Sequence, residues 1–184
     1  DGRSIAFGAQ APGMVRPEIW IVDASGGTPT RLSNDPAYET ILAWAADGAS
    51  VYFRSDRGGG FDVWNMPVRG GPATQVTQGH GLRAQESADG QFLYYSNDVP
   101  QIWRRPLRAG SAEELVTTFP KGTHWGGEWA VGARGLCYLN DQVPGALAID
   151  VLPFGPVSRR PVRVAPLLGQ PARHASLFAL APDE

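Results

Sequence analysis

Three patterns that repeat along this sequence predict an all-β chain folded as a β-propeller of about four blades, each with about four antiparallel strands. The first pattern is an Asp-Gly turn, which occurs at Asp1, Asp47 and Asp89. The second is an apolar strand centred on a tryptophan, and the third is a glycine-rich turn before a short polar strand. Each pattern returns after roughly 40–45 residues, which is the length of one blade.

Each Asp-Gly turn leads directly into an apolar segment, at residues 5–7, 51–53 and 92–95. Aspartate and glycine favour tight turns, because the Asp side chain bonds the backbone that follows and glycine accepts a positive φ. Each Asp-Gly turn therefore predicts a hairpin whose second strand is buried.

The tryptophan pattern marks the next strand of each unit, with Trp20, Trp64 and Trp103 at matching places. A large apolar side chain that repeats at one structural position packs between blades, so we interpret these residues as core rather than as a sugar-binding platform. The glycine-rich turns at residues 26–27 and 70–71 then separate this strand from a short outer strand.

The remaining strand of each unit precedes the next Asp-Gly turn. A fourth unit, in which the repeated patterns are less complete, follows the first three. The chain is therefore expected to be a single propeller segment over 1–184, with repeat units at approximately 1–46, 47–88, 89–131 and 132–184. The repeat has the same phase at both ends. The final strand could therefore complete the first blade of a closed ring of about four blades, and a segment of a larger ring also fits. Of the two, we favour a segment of a ring of about six to eight blades.

Charge and composition restrict the function. Sixteen basic and 18 acidic residues give a net charge of −2 at pH 7, without a block of like charge, which argues against direct nucleic-acid binding by this segment. No apolar run is long enough to predict a membrane helix. The single cysteine, Cys137, lies in an apolar strand; it excludes a disulfide framework and leaves the compartment open.

The second unit resembles the repeats of TolB-like and WD-like propellers. The resemblance lies in the small-Asp-Gly turn at 46–48, the strand at 51–57, the Phe-Asp-Val-Trp segment at 61–64 and the Gly-Gly segment at 70–77. It implies a non-enzymatic module without a cofactor, which binds a protein, a peptide or a small ligand at its top face or channel. Such a module would be the scaffold or sensory part of a larger bacterial protein, with a periplasmic location favoured and a cytoplasmic one also compatible.

A narrower resemblance is to the propeller portion of bacterial regulators that carry an OmpR-type winged-helix domain. It lies in residues 86–95, 102–107, 125–131 and 135–139, and it implies that a separate domain binds DNA. Similar repeats also precede prolyl-oligopeptidase catalytic domains, so the alternative is a substrate-gating propeller of a serine peptidase whose catalytic domain is absent here. A lactonase-like metal propeller is a third, weaker alternative.

Candidate ligand-binding residues fall in the loops that lead into the innermost strands. Tyr38, His80 and His174 each precede an Asp turn by the same number of residues, and His124 lies at nearly the same place, next to Trp125. Side chains at the mouth of a channel would hold an anionic ligand, since imidazole titrates near neutral pH. No metal site is predicted, because four blades of a larger ring would spread the imidazoles too widely.

Two carboxylates, Glu86 and Glu128, fall on innermost strands and are predicted to line the channel, where water solvates them. Ser87 and Ser176 also lie on such strands, but no serine occurs in the elbow sequence that exposes a nucleophile beside a base. No catalytic residue is therefore predicted.

Overall fold

The structure is a computed structural model that describes residues 2–79, 81–97, 99–108, 112–119, 129–143, 146–154 and 160–167. The described residues form strands joined by turns and loops, and no helix occurs among them. The prediction of an all-β chain is confirmed.

The first two sheets follow chain order. Strands β1 (Ser4–Ala9), β2 (Glu18–Asp23) and β3 (Thr30–Arg31) form a three-stranded sheet. Strands β4 (Glu39–Trp44), β5 (Ser50–Ser55), β6 (Asp62–Pro67) and β7 (Thr74–Gln75) form a four-stranded antiparallel sheet. The Asp47 side chain accepts a hydrogen bond from the N–H of Ala49 at 2.8 Å, and Gly48 has a φ of 67°. The predicted hairpin at this Asp-Gly turn is confirmed.

Two further four-stranded sheets complete the described architecture. One contains β8 (Arg83–Glu86), β9 (Phe92–Ser96), β10 (Gln101–Pro106) and β11 (Glu114–Thr118). The other contains β12 (Trp129–Val131), β13 (Gly135–Val143), β14 (Ala146–Pro153) and β15 (Val162–Leu167). The sheets are offset by one strand from the repeat units, because β4 lies in unit 1–46 but pairs with β5.

The chain divides into two compact units, residues 1–86 with 95–99 and residues 87–94 with 100–184, and the division passes through the sheet that contains β9. In the first unit, the buried core residues Ile19, Phe53 and Met66 are surrounded by Leu32, Ile41, Trp64 and Ala73. The second unit has its own buried cluster: Tyr94, Ile102, Phe119, Trp129, Val131, Leu136, Tyr138 and Leu152.

The tryptophan pattern is buried in a way that the sequence did not indicate. Trp20, Trp64 and Trp103 are only half-buried, whereas the residues directly before them, Ile19, Val63 and Ile102, are completely buried. Trp64 does pack against the core of the first unit, as predicted. Successive residues of a strand point to opposite faces, so the residue before each tryptophan takes the more enclosed face.

The fourth sheet replaces the tryptophan with an ion pair. In the second sheet, Phe53, Trp64 and Gln75 form one row across β5, β6 and β7. Counted from the hairpin that starts each sheet, the same row of the fourth sheet contains Tyr138, Asp150 and Arg163.

Asp150 is buried, and it accepts hydrogen bonds from Asn140 Nδ2 at 2.6 Å and from Arg163 Nε at 3.1 Å. A carboxylate in a buried row requires such donors. The fourth unit lacks the tryptophan pattern, and the ion pair of Asp150 and Arg163 takes the place that Trp64 has in the second sheet.

Candidate functional site

The candidate site lies at one end of the second sheet. Because neighbouring strands are antiparallel, the start of β4, the end of β5 and the start of β6 meet in one row, formed by Glu39, Ser55 and Asp62. The loop 34–38 before β4 and the hairpin 56–61 between β5 and β6 therefore lie together. We call this the hairpin end of the sheet, and the opposite end, where β4 turns into β5, the Asp47 end.

Tyr38 joins the loop to the hairpin. The residue is 41% exposed, and its ring stands perpendicular to the ring of Phe61, with the centroids 5.8 Å apart. Its backbone N–H donates to Asp56 Oδ1 at 2.8 Å, and Asp56 Oδ2 accepts from Arg16 Nη1 at 2.7 Å. These interactions hold the pKa of Asp56 below its ordinary value, and the hydrogen bond from the Tyr38 backbone has the largest effect. The loop, the hairpin and the segment before β2 are thus tied together by one carboxylate.

Arg54 adds a second positive charge beside the aromatic pair. Its guanidinium carbon lies 3.8 Å from the centre of the Phe61 ring, in a cation–π contact. Its Nε atom is buried and has no hydrogen-bond partner in the part of the chain that the structure describes. We define the hairpin patch as Arg16, Tyr38, Arg54, Asp56 and Phe61. Asp56 is paired with Arg16, so the patch has an excess positive charge at Arg54.

A buried polar network lies next to the hairpin patch. Glu39 is completely buried; one of its oxygens accepts from the Ser33 hydroxyl and the other from the Arg57 guanidinium. Burial raises the pKa of Glu39, although the two donors act in the opposite direction. Arg57 also lies 3.9 Å from Asp35 of the loop. The network therefore holds the loop 34–38 against the sheet.

In each of the first two sheets, a hydroxyl oxygen accepts a hydrogen bond from a backbone N–H of the tryptophan-bearing strand. Ser33 Oγ accepts from the N–H of Ile19 at 3.0 Å, and Thr77 Oγ1 accepts from the N–H of Val63 at 2.9 Å. Asp62, the acidic residue that begins β6, accepts from Thr77 and from the Gln75 side chain. The acidic start of this strand is thus engaged within the sheet.

Glu86, predicted to line a channel, is half-buried at the Asp47 end. One of its oxygens accepts from the N–H of Ala46 at 2.7 Å, and the other accepts from the Tyr52 hydroxyl at 2.6 Å. Ser87 is buried in the next turn, where it donates to Asp89 at 2.6 Å and accepts from the N–H of Phe92 at 3.0 Å. The structure thus gives both side chains defined partners within the fold.

The other predicted site residues lie outside the described residues: His80, His124, Trp125, Glu128 and His174. Tyr38 is the predicted ligand-binding residue that the structure describes, and it lies with Arg16, Arg54 and Phe61, which the sequence did not single out. The sequence predicted no binding role for the hairpin at 55–62. An aromatic residue directly after three glycines would have been the signal for an exposed contact there.

The described ranges contain neither a cluster of metal ligands nor a helix that could span a membrane. No group of three or more His, Cys, Asp or Glu side chains there is arranged to hold a metal ion. No helix long and apolar enough to cross a membrane occurs in the same part of the chain. Burial raises the pKa of the Cys137 thiol, in keeping with a small apolar side chain in a strand.

The repeated four-stranded antiparallel sheets define the chain as part of a β-propeller protein. A family model described as the TolB beta propeller domain matches residues 1–132. The chain belongs to this family, and the predicted resemblance to TolB-like propellers is confirmed.

The curated proteins that are similar in sequence include one of Streptomyces coelicolor and one of Agrobacterium fabrum. Tricorn protease homolog 1 of Streptomyces coelicolor is 32% identical over 130 residues, which are 66% of this chain and 11% of that protein. An uncharacterized protein of Agrobacterium fabrum is 30% identical over 104 residues, which are 53% of this chain and 35% of that protein. The chain thus spans well under two thirds of the length of either relative.

Solved structures with a similar fold include a putative TolB of Agrobacterium tumefaciens, with a TM-score of 0.69 and 22% identity over 92% of this chain and 63% of that chain. TolB of Acinetobacter baumannii has a TM-score of 0.65 and 20% identity over 83% of this chain and 38% of that chain. A prolyl endopeptidase has a TM-score of 0.61 and 15% identity over 90% of this chain and 27% of that chain. At these identities the similarity shows the fold alone, and the narrower resemblance to winged-helix regulators gains no support from it.

Proposed function

We propose that this chain is a non-enzymatic binding module whose hairpin end binds a protein or peptide, as the scaffold or sensory part of a larger protein. The hairpin patch is the observation that carries the proposal. Tyrosine, phenylalanine and arginine are enriched at protein interfaces, and tyrosine and arginine are frequent binding hot spots. Tyr38 and Phe61 are each more than a third exposed, at 41% and 38%, on a loop and a hairpin that are held in place by Asp56 and Glu39.

The state of the carboxylates also supports a binding role. A general acid or base must reach a proton of the substrate. Glu39 is enclosed between Ser33 and Arg57, and both oxygens of Glu86 accept hydrogen bonds from within the fold. Glu39 is therefore out of reach of a substrate, and both oxygens of Glu86 have structural partners.

The larger context of the module is also a proposal. Because the chain belongs to the TolB propeller family, we propose a periplasmic protein that contacts other proteins. A sensory role in a winged-helix regulator would require a separate DNA-binding domain before this segment, since the segment itself has a net charge of −2.

A second candidate is the gating propeller of a serine peptidase. The relative named tricorn protease homolog 1 favours this alternative. In that role the propeller would admit peptides to a catalytic domain outside this chain. The full-length reading frame separates the candidates: a Gly-x-Ser-x-Gly elbow after the propeller supports the peptidase, and a winged helix before it supports the regulator.

Site-specific photo-crosslinking in the native host tests the binding module. A photoreactive phenylalanine analogue replaces Tyr38 in the full-length protein, and the control carries it in place of the exposed Arg69, in the turn after β6. We expect a discrete protein adduct from position 38 and none from position 69. Identical adducts from both positions, or no protein adduct from a folded protein labelled at position 38, would contradict the proposal.

A further inference from the structure

We infer that the hairpin patch recognises an extended peptide segment that carries a carboxylate next to an apolar side chain. This inference rests on the proposed function, because it gives the chemistry of the partner that the binding module takes. It is drawn from the charge, the exposure and the ring geometry of the patch.

Arg54 supplies the charge that a carboxylate would meet. Its guanidinium lies over Phe61, and no carboxylate in the described ranges forms an ion pair with it. Its Nε atom is enclosed and has no acceptor in those ranges, but the residue as a whole remains partly exposed, so a ligand would approach the rest of the guanidinium. A ligand carboxylate would supply a charge-assisted hydrogen bond, which is stronger than one between neutral groups.

Arg16 supplies a second positive charge that a ligand can reach. Its side chain is 47% exposed and that of its partner Asp56 is 29% exposed. Exposed ion pairs are weak because water and salt screen them. A ligand carboxylate can therefore approach Arg16 without breaking a strong interaction, while Asp56 keeps its hydrogen bond to the Tyr38 backbone.

Apolar surface adjoins both arginines. Tyr38 and Phe61 form an exposed pair, and Val15, the neighbour of Arg16 in the chain, is 89% exposed. Burying such surface against an apolar side chain is favourable. A partner with both an acidic and an apolar group therefore fits the patch better than a purely acidic one.

The ring geometry favours a peptide over an acidic oligosaccharide. Uronic acids also carry carboxylates, but sugars stack face-on against an open aromatic ring. One face of Phe61 is already occupied by Arg54 at 3.8 Å, and Tyr38 stands at 89° to Phe61. The two perpendicular rings therefore do not form one flat platform, and a side chain of a peptide can pack in the angle between them.

The test selects a display library of random dodecapeptides on the full chain and synthesises the most enriched peptide as the probe. We expect enriched sequences in which Asp or Glu lies within about two positions of an apolar residue. The probe should bind Arg54→Gln about tenfold more weakly than the wild type, and Arg69→Gln, which removes the same charge at an exposed turn, with unchanged affinity. Affinity for the wild type should fall as salt is raised.

A second arm needs no variant of the protein. Replacing the acidic residues of the probe by their amides should weaken binding to the wild type about tenfold, whether or not Arg54→Gln folds. The inference is overturned if no acidic-apolar peptide is enriched, or if the amide probe binds as well as the acidic one. Probes that bind Arg54→Gln and the wild type equally well would overturn the inference but leave the proposed function standing. Binding of a galacturonate trimer that Arg54→Gln abolishes, without any peptide binding, would reassign the patch to sugars.

Discussion

Removal of Arg57 should destabilise the protein strongly, because it would leave Glu39 buried without its cationic partner. Breaking a buried ion pair from one side costs about 3–5 kcal/mol. Arg57 is 14% exposed and Glu39 is completely buried, so water replaces the guanidinium only in part. The guanidinium also lies 5.0 Å from the Phe53 ring centre and 5.2 Å from that of Trp64, contacts worth about 0.5–1 kcal/mol each. We therefore expect Arg57→Ala to lower the free energy of unfolding by at least about 3 kcal/mol at neutral pH.

The effect should depend on pH in a defined direction. Burial raises the folded-state pKa of Glu39 above its ordinary value of 4.5, so the stability that its protonated form contributes is present below that value. This stability is lost as the pH rises through the folded pKa. Arg57 favours the ionised form, so its removal raises that pKa further. The difference between wild type and Arg57→Ala should be largest near about pH 7 and should shrink towards about pH 4.

Urea unfolding followed by tryptophan fluorescence measures this difference, with six tryptophans as probes. The control is Arg69→Ala, which removes an exposed arginine and should stay within about 0.5 kcal/mol of the wild type. An Arg57→Ala variant that also stays within that margin at neutral pH would refute the role assigned to the Glu39 network.

Three further predictions follow from packing and burial. Gly81→Ala would place a Cβ 2.5 Å from the carbonyl carbon of Asp62 and 2.9 Å from its Cα; we expect a loss of about 1–3 kcal/mol in thermal unfolding. Tyr52→Phe removes the hydroxyl that donates to Glu86 and should cost about 0.5–1.5 kcal/mol in urea unfolding. Burial raises the pKa of Tyr138 to about 12 from 10.0, so the stability present below pH 10.0 should be lost as the pH rises from there through about 12; absorbance titration should show a tyrosine that ionises late.

The repeat made the sheets predictable because its signals are local. An Asp-Gly turn sets its own hairpin, and Gly48 adopts the positive φ that the turn requires. The sequence also showed that successive residues of each strand point to opposite faces, but it did not show which face is more enclosed. That depends on the neighbouring sheet, which is why Ile19 rather than Trp20 is the buried residue.

The hairpin patch was only partly predictable. Tyr38 was selected because its place before the Asp turn recurs along the chain. Arg54 and Phe61 lie on the hairpin of β5 and β6, whereas Arg16 comes from the segment before β2 and is joined to Tyr38 through Asp56. In the same way, no local signal connects Glu86 to Tyr52, since their contact joins strands of different sheets.

Hydrogen–deuterium exchange of the full-length protein with and without the partner captured at position 38 tests the binding role most directly. We expect slower amide exchange in the loop 34–38 and the hairpin 56–61 when the partner is bound, with unchanged exchange at the turn 45–50 of the Asp47 end. Protection confined to the turn 45–50, with the loop and the hairpin unaffected, would contradict it.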